Sequence, residues 1–419
     1  MSEKNYLNLH VIISHSPSCL NRDDMNMQKS AIFGGVRRVR ISSQSLKRAM
    51  RTSGYFKDFL GAPSVRTRNL ELLKEKFIDE LKHDFEESII RETIERFAKA
   101  SVAAQENDTE EAMESDEDEA VEETGKASKK IACAPWVVDE IRVLCGILAG
   151  IKLSADELKK AEDTFKKQKT KKKKSLQEIK DDMLNKKIDK AVKEKAEAVK
   201  NACASARDIA LYGRMATSGL MTTIDGAVSV AHSITTHAVD ADIDWFTAVD
   251  DLVPLGSAHL DTQEFSSGVF YRYASINLKQ IQMNLGLMPD IKAEETTEGR
   301  KKALEISAHL LHLLATVVPS AKQRSFAAFN PSDFVMASFS DIPISAANAF
   351  ETPVELEKPG GYLQPSIKAF DNYITRVYEG YGLNDKKAIF SLWNTTLEQK
   401  KEKLEYVKEW VRNDGKDKK

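Results

Sequence analysis

The stretch Tyr6–Ser14, YLNLHVIIS, alternates: Leu7, Leu9, Val11 and Ile13 fall on one side, Asn8 and His10 on the other. That two-residue period predicts a half-buried strand. After a turn at Gly34-Gly35, VRRVRIS keeps the period, with Val39 and Ile41 inward and Arg38 and Arg40 outward. The period then changes. In SSQSLKRAMRTSGYF, Leu46, Ala49 and Met50 share one face at i, i+3, i+4 spacing, and Gln44, Lys47, Arg48 and Arg51 share the opposite one. Ser42 or Ser43 can cap this short helix, and Gly54 lies just beyond its end.

From about Val65 to Ala206 helical periods dominate, in NLELLKEKFIDELKHDFEESIIRETIERFAKA, PWVVDEIRVLCGILAGIKL and EIKDDMLNKKIDKAVKEKAEAVKNACASARDIAL. These predict a helical insert. Beyond Ala206 the period returns to two, in GAVSVAHSITTHAVDADIDWFTAVDDL and SSGVFYRYASINL. The turn-rich DADIDWFTAVDDLVPLGSAHLDTQEF between them predicts a projecting hairpin with Trp245 and Phe246 on it. ALEISAHLLHLLATV is an amphipathic helix, SDFVMASFSDIPI a strand, and SIKAFDNYITRVYEGYG and TTLEQKKEKLEYVKEWVR further helices. Strands, a helical excursion, then strands and helices again predict an α+β fold on an antiparallel sheet. No internal repeat is present.

Composition changes this picture little. The 419 residues, 42% hydrophobic and with a formal charge of −2, describe an ordinary protein with one large or two smaller cores. The N-terminal apolar run is too short and broken for a signal peptide or a membrane span, so a cytoplasmic protein is expected. Cys19, Cys133, Cys145 and Cys203 form no CxxC pair and read as reduced thiols.

The arrangement of charge is more informative. From Met25 to Lys57 there are eight Lys or Arg residues and no acid. They place a cationic stripe on one helix beside an extended segment that also projects Arg, a pattern that suits a phosphate backbone. Two further runs interrupt the helical insert. Glu106–Glu123 holds eleven acids and no base and reads as a solvated, disordered loop; Lys166–Lys174 holds seven lysines and reads either as a solvated tip or as a nucleic-acid contact.

Candidate catalytic constellations are weak. His15 lies near Cys19 with no base or oxyanion donor implied by spacing, and both read as buried strand-end residues. Asp23 and Asp24, or Asp250 and Asp251, could hold Mg²⁺ for phosphodiester cleavage, but adjacent carboxylates in turns more often cap or hydrate. His232 and His237, five apart on one predicted strand, fall on opposite faces and share no metal. The Gly pair of IFGGVRR fits neither the GxxxxGK[ST] nor the GxGxxG pattern, and the RNP1 consensus is absent. No cofactor is expected. Cations beside aromatics on a hairpin favour binding of a single-stranded nucleic acid.

HVIISHSPSCLNRDDMNMQKSAIFGGVRRVRISSQSLKRAMRTSGYF closely resembles the N-terminal signature of the CasC family, the backbone subunit of the type I-E CRISPR Cascade surveillance complex. The similarity resumes at APWVVDEI, DIALYGRMATSGLM, DGAVSVAHSITTHAVDADIDWFTAVDD, GSAHLDTQEFSSGVFYRYASINL, AKQRSFAAFNPSDFVM and GYLQPSIKAF. It covers most of the chain outside the helical insert. The resemblance implies an RRM-like (ferredoxin-like) antiparallel-sheet palm in residues 1–64, 207–238 and 266–419, the last part with C-terminal helices. It implies a helical fingers insertion at 65–206 and a β-hairpin thumb at 239–265.

It further implies a non-enzymatic protein whose copies stack head to tail along the spacer of a CRISPR RNA. Each thumb kinks the guide, which is presented to a target DNA strand; other Cascade subunits cap the stack, and cleavage is left to a recruited nuclease-helicase. Carried across by position, guide phosphates would meet Arg22, Lys29, Ser42, Gln44, Lys47 and Arg51. Met215 would wedge at the kink, and Trp245, Phe246 and Thr247 would lie on the thumb. The insert departs from the family in its length and its two charged runs. Lys166, Lys167, Lys169, Lys171, Lys172, Lys173 and Lys174 could guide target DNA, an expectation resting on charge alone. Related backbone subunits cleave RNA with an Asp, which leaves a metal-dependent ribonuclease using Asp23 or Asp24 as the enzymatic alternative.

Overall fold

A computed structural model describes residues 4–23, 25–103, 134–166, 175–215, 223–249 and 257–417. The chain begins with β1 (Tyr6–Ser18), followed by β2 (Ser30–Phe33) and β3 (Val36–Ile41) and two short helices, α1 (Ser43–Thr52) and α2 (Gly54–Leu60). The helical excursion comprises β4 (Val65–Arg66), α3 (Leu70–Leu81), α4 (Glu87–Ala103), β5 (Pro135–Trp136), α5 (Val138–Ala149), α6 (Ala155–Lys166), α7 (Leu176–Glu194) and α8 (Ala196–Cys203). There follow α9 (Arg207–Tyr212), β6 (Val228–Val230), β7 (Ser233–Thr235), β8 (Asp242–Val249) and the long β9 (Ser257–Asn277). The chain then adds α10 (Leu278–Asn284), α11 (Thr297–Thr316), α12 (Gln323–Phe326), β10 (Phe334–Ser340), α13 (Leu363–Gly380), β11 (Lys386–Ser391), β12 (Lys400–Lys401) and α14 (Leu404–Arg412).

The architecture is α+β. One sheet runs β12-β11-β10-β1-β9-β7-β3-β2, with β6 and β8 also paired to β9. Every pairing is antiparallel except β11 with β12. Helices cover both faces. Leu7, Leu9, Val11 and Ile13 pack with α1, α10, α11 and α14 on one, while Ile12, Tyr271 and Met336 pack with α13 on the other. The helical excursion has its own apolar cluster around Phe77, Ile94, Trp136 and Leu144.

Four sequence expectations are corrected here. Asn8 and His10 are fully buried because α13 covers the second face; Tyr273 and Tyr271 meet them through hydrogen bonds at 2.9 and 2.8 Å. Arg38 is buried rather than outward, its guanidinium donating to the carbonyls of Phe33, Thr235 and Phe350. His232 and His237 do not share a strand: β7 lies between them, His232 is exposed, and His237 stacks on Tyr362 at 3.7 Å. The helical period read from Thr395 onward is satisfied only from Leu404, because Thr395 and Thr396 are tied to Asp371 and Lys400–Lys401 joins the sheet. The acidic run 106–123 lies outside the described residues.

Candidate nucleic-acid interface

The segment between β1 and β2 is folded by its own polar side chains. Asp23 accepts from the backbone N–H of Met25 and of Met27 at 3.0 and 2.9 Å, and Arg22 donates to Asn26 at 2.6 Å. Asn21 then accepts from the N–H of Ser42 at 2.8 Å, and its carbonyl receives the N–H of Lys29, so this loop sits against the start of α1. Glu264 of β9, nearly fully buried, binds the N–H of Gln28 and the guanidinium of Arg37, both at 2.7 Å. Arg22, Lys29 and α1 are thereby fixed beside the root of the β8–β9 hairpin.

Ser42 caps α1, its Oγ accepting from the N–H of Ser45 at 3.1 Å, and it is buried. Gln44 is exposed on the first turn, and Leu46 and Met50 are buried as the period predicts. The chain continues past Thr52 into α2, which Ser53 caps and Gly54 opens.

The far end of the stripe is not a solvated face. Lys47 and Arg51 are half-buried, with Lys47 5.7 Å from the ring centre of Tyr212. Arg51 donates to the carbonyl of Ser64 at 3.1 Å and lies 4.0 Å from Asp208, whose carboxylate also lies 3.9 Å from Arg66. Asp208 is fully buried and takes both the N–H and the hydroxyl of Ser64, at 2.9 and 2.5 Å. Burial first, and Arg66 second, push the Lys47 ammonium below its ordinary value; the same two causes do so for Arg51, against the pull of Asp208.

Arg51 and Arg66 thus share one carboxylate, and Lys47 lies close enough to Arg66 to feel its charge, so a single negative charge offsets the repulsion among the cations only in part. Tyr212 adds a phenol that burial keeps protonated, and its hydroxyl has no hydrogen-bond partner among the described residues. Such an excess of positive charge has the chemistry to receive an anion such as a phosphodiester. Arg66, Asp208 and Tyr212 were missed by sequence reasoning. They come from separate segments, and no local period links them.

Two residues later Arg214 is buried, its guanidinium forming a two-pronged ion pair with Glu140 of α5 at 2.7 and 2.9 Å. Arg214 also closes a backbone bridge with Ile224. Met215, immediately after this anchor, is 84% exposed. On the hairpin, β8 pairs with β9 from Asp242↔Phe265 to Val249↔Ser257. Trp245 is 68% exposed. Phe246 and Thr247 occupy the backbone of β8 opposite Asp261 and Leu260, and their side chains lie outside the described residues. Lys166 ends α6 exposed, while Lys167, Lys169 and Lys171–Lys174 lie outside the described residues, as does Asp24.

Of the residues read from sequence, Arg22, Lys29, Ser42 and Gln44 lie on the loop and first turn beside the hairpin root, and Lys47 and Arg51 lie against Tyr212 and Asp208. No curated protein sequence matches the chain. A family model described as "CT1975-like protein" matches residues 7–412. The chain belongs to the CT1975-like protein family. Among solved structures, it is similar to a chain of a "CRISPR RNA-guided surveillance complex, pre-nicking", with 27% identity, a TM-score of 0.67, and 98% of this chain and 100% of that one covered. A chain of a second "CRISPR RNA-guided surveillance complex" shares the fold, with 21% identity, a TM-score of 0.54, and 97% and 98% covered. The resemblance of the sequence to the Cascade backbone subunit agrees with both comparisons. No described helix is long and apolar enough to cross a membrane.

Proposed function

We propose that this CT1975-like protein is a non-enzymatic backbone subunit of a type I-E CRISPR surveillance complex that acts in the cytoplasm. Its copies bind the spacer of a CRISPR RNA, stack head to tail along it, and present its bases to a target DNA strand. The observation that carries this reading is the gathering of Lys47, Arg51 and Arg66, with Asp208 beside the two arginines, on an otherwise near-neutral chain. Cations so placed neutralise successive phosphates without reading sequence, which is left to base pairing, the division of labour seen in other RNA-guided effectors.

The sheet serves as an RRM-like palm and the β8–β9 hairpin as the thumb. Met215 and Trp245, exposed and apolar, are suited to wedge against or stack on guide bases at a kink. A head-to-tail interface is heterologous and propagates until other subunits cap it. The metal-dependent ribonuclease reading is not favoured: Asp23 is used to close its own turn.

The test is co-expression with neighbouring genes and a CRISPR array, followed by purification and sequencing of the bound nucleic acid. Uniform spacer-length RNA, lost on Lys29→Ala, Lys47→Ala and Arg51→Ala together, is the expected result. RNA of mixed length, indifferent to those changes, would overturn the reading. Magnesium-dependent cleavage of complementary RNA, abolished by Asp23→Ala, would restore the enzymatic alternative.

A further inference from the structure

Glu264 and Phe265 are consecutive residues of β9, so their side chains leave the strand on opposite sides. Glu264 holds the loop that carries Arg22 and Lys29. Phe265 instead meets Phe326 of α12, with ring centres 5.6 Å apart. A second segment, Lys322–Phe329, therefore flanks the hairpin root on the side away from α1.

This segment is held in an unusual shape. Lys322 and Ala327 both adopt left-handed backbone, with φ of 50° at each, a conformation non-glycine residues rarely take. Gln323, buried between them, ties the segment down through its side-chain N–H groups to the carbonyls of Pro319 and Ala328, at 3.2 and 3.3 Å. Residues kept in sparsely populated conformations by surrounding structure mark a functional constraint more often than chance. Here the result is display: Arg324 is exposed and Phe329 is 71% exposed. No Asp or Glu occurs between Glu305 and Asp333 along the segment itself, and Asp242 and Asp244 of β8 stand opposite Phe265 and Gln263 across the hairpin. Two buried polar atoms at the same root, Nε2 of Gln263 on the Phe265 side of β9 and Oε1 of Gln323, have no hydrogen-bond partner among the described residues.

We propose that Arg324 and Phe329 form a second contact site for single-stranded RNA, so that a strand passing the hairpin root is held from both sides. The guanidinium of Arg324 meets a phosphate, and the exposed ring of Phe329 offers a face on which a base stacks, a combination tolerant of sequence. This rests on the RNA-binding reading above and extends it to residues that reading does not use.

The experiment irradiates the full chain with a single-stranded RNA carrying 4-thiouridine and maps the crosslinked residues. Crosslinks at Phe329, as well as near Met215 and Trp245, are expected, and those at Phe329 vanish in Phe329→Ala while the others persist. In parallel, the salt dependence of binding is measured for Arg324→Ala. The slope of log affinity against log salt should fall by roughly 0.7 for the phosphate that is no longer neutralised. Arg324 and the ring of Phe329 are exposed, so an unchanged urea midpoint separates a binding defect from a folding defect. Crosslinks near Met215 and Trp245 with none in 322–329, or an unchanged slope, would overturn this site alone. Burial of Phe329 by self-association in the absence of RNA would overturn it too, assigning the patch to a second copy of the chain. No crosslink anywhere would overturn the RNA-binding reading as well.

Discussion

Glu140→Met should be among the most damaging single changes in this chain, because of what it leaves behind. Glu140 and Arg214 are both fully buried and joined by two hydrogen bonds, at 2.7 and 2.9 Å. Arg214 also meets the sulfur of Cys203 at 3.1 Å. Removing the carboxylate strands a guanidinium that Glu140 holds strongly basic despite its burial. Orphaning one member of a buried pair costs about 3–5 kcal/mol, and Arg214→Met should cost a similar amount. The double replacement removes both charges and fills the space with apolar atoms, so it should cost far less than the sum.

The assay is urea unfolding of the four proteins, with the coupling energy taken from the cycle. A large coupling, with the double variant close to wild type, is expected. Additive losses, or a loss under about 1 kcal/mol for Glu140→Met alone, would show that the pair does not fasten Arg214 to α5. Because Met215 follows Arg214 directly, the single variants should also blur its position. Guide RNA bound by them should then lose protection from ribonuclease where each Met215 meets it, while the double variant retains an uncharged anchor.

Three other outcomes follow from the same geometry. Lys47 has a lowered proton affinity in the free protein, and a bound phosphate would raise it, so RNA affinity should fall as pH rises from the lowered value through the bound one. Lys47→Arg should flatten that dependence, and a wild-type profile no steeper than that of Lys47→Arg would refute it. His10 and His15 are buried neutral, their proton affinities pushed by desolvation down to about 3 from 6.5. The unfolded chain binds these protons first, so stability is lost as pH falls below 6.5, by about 1.4 kcal/mol per pH unit for each histidine. His10→Gln should remove one histidine's share from the slope of urea stability against pH between about 6 and 4; a slope equal to wild type would contradict the burial argument. Finally, Gly34 has φ +60° and a Cβ there would lie 1.6 Å from the carbonyl oxygen of Glu351, whereas Gly35, at φ +76°, faces open space. Gly34→Ala should therefore prevent folding, while Gly35→Ala should cost about 1 kcal/mol in urea unfolding; equal effects would refute the clash.

The sequence by itself determined the α+β class, the strand at Tyr6–Ser14, the hairpin around Trp245 and the amphipathic helix with Leu46 and Met50 inward. These features rest on periods and caps, which act over a few residues and are written locally. The acid-free run from Met25 to Lys57 was equally legible, because charge is a count along the chain. The tertiary structure alone decided which polar residues are exposed. Asn8, His10 and Arg38 read as outward, yet a second layer of helix covers them, and only buried partners distant in sequence make that tolerable. It also decided which residues gather at the end of the cationic stripe. Lys47 and Arg51 join a charged cluster only when Arg66 arrives from β4 and Asp208 and Tyr212 arrive from α9. Electrostatic repulsion depends on distance in space, and no pattern of spacing along the chain encodes it.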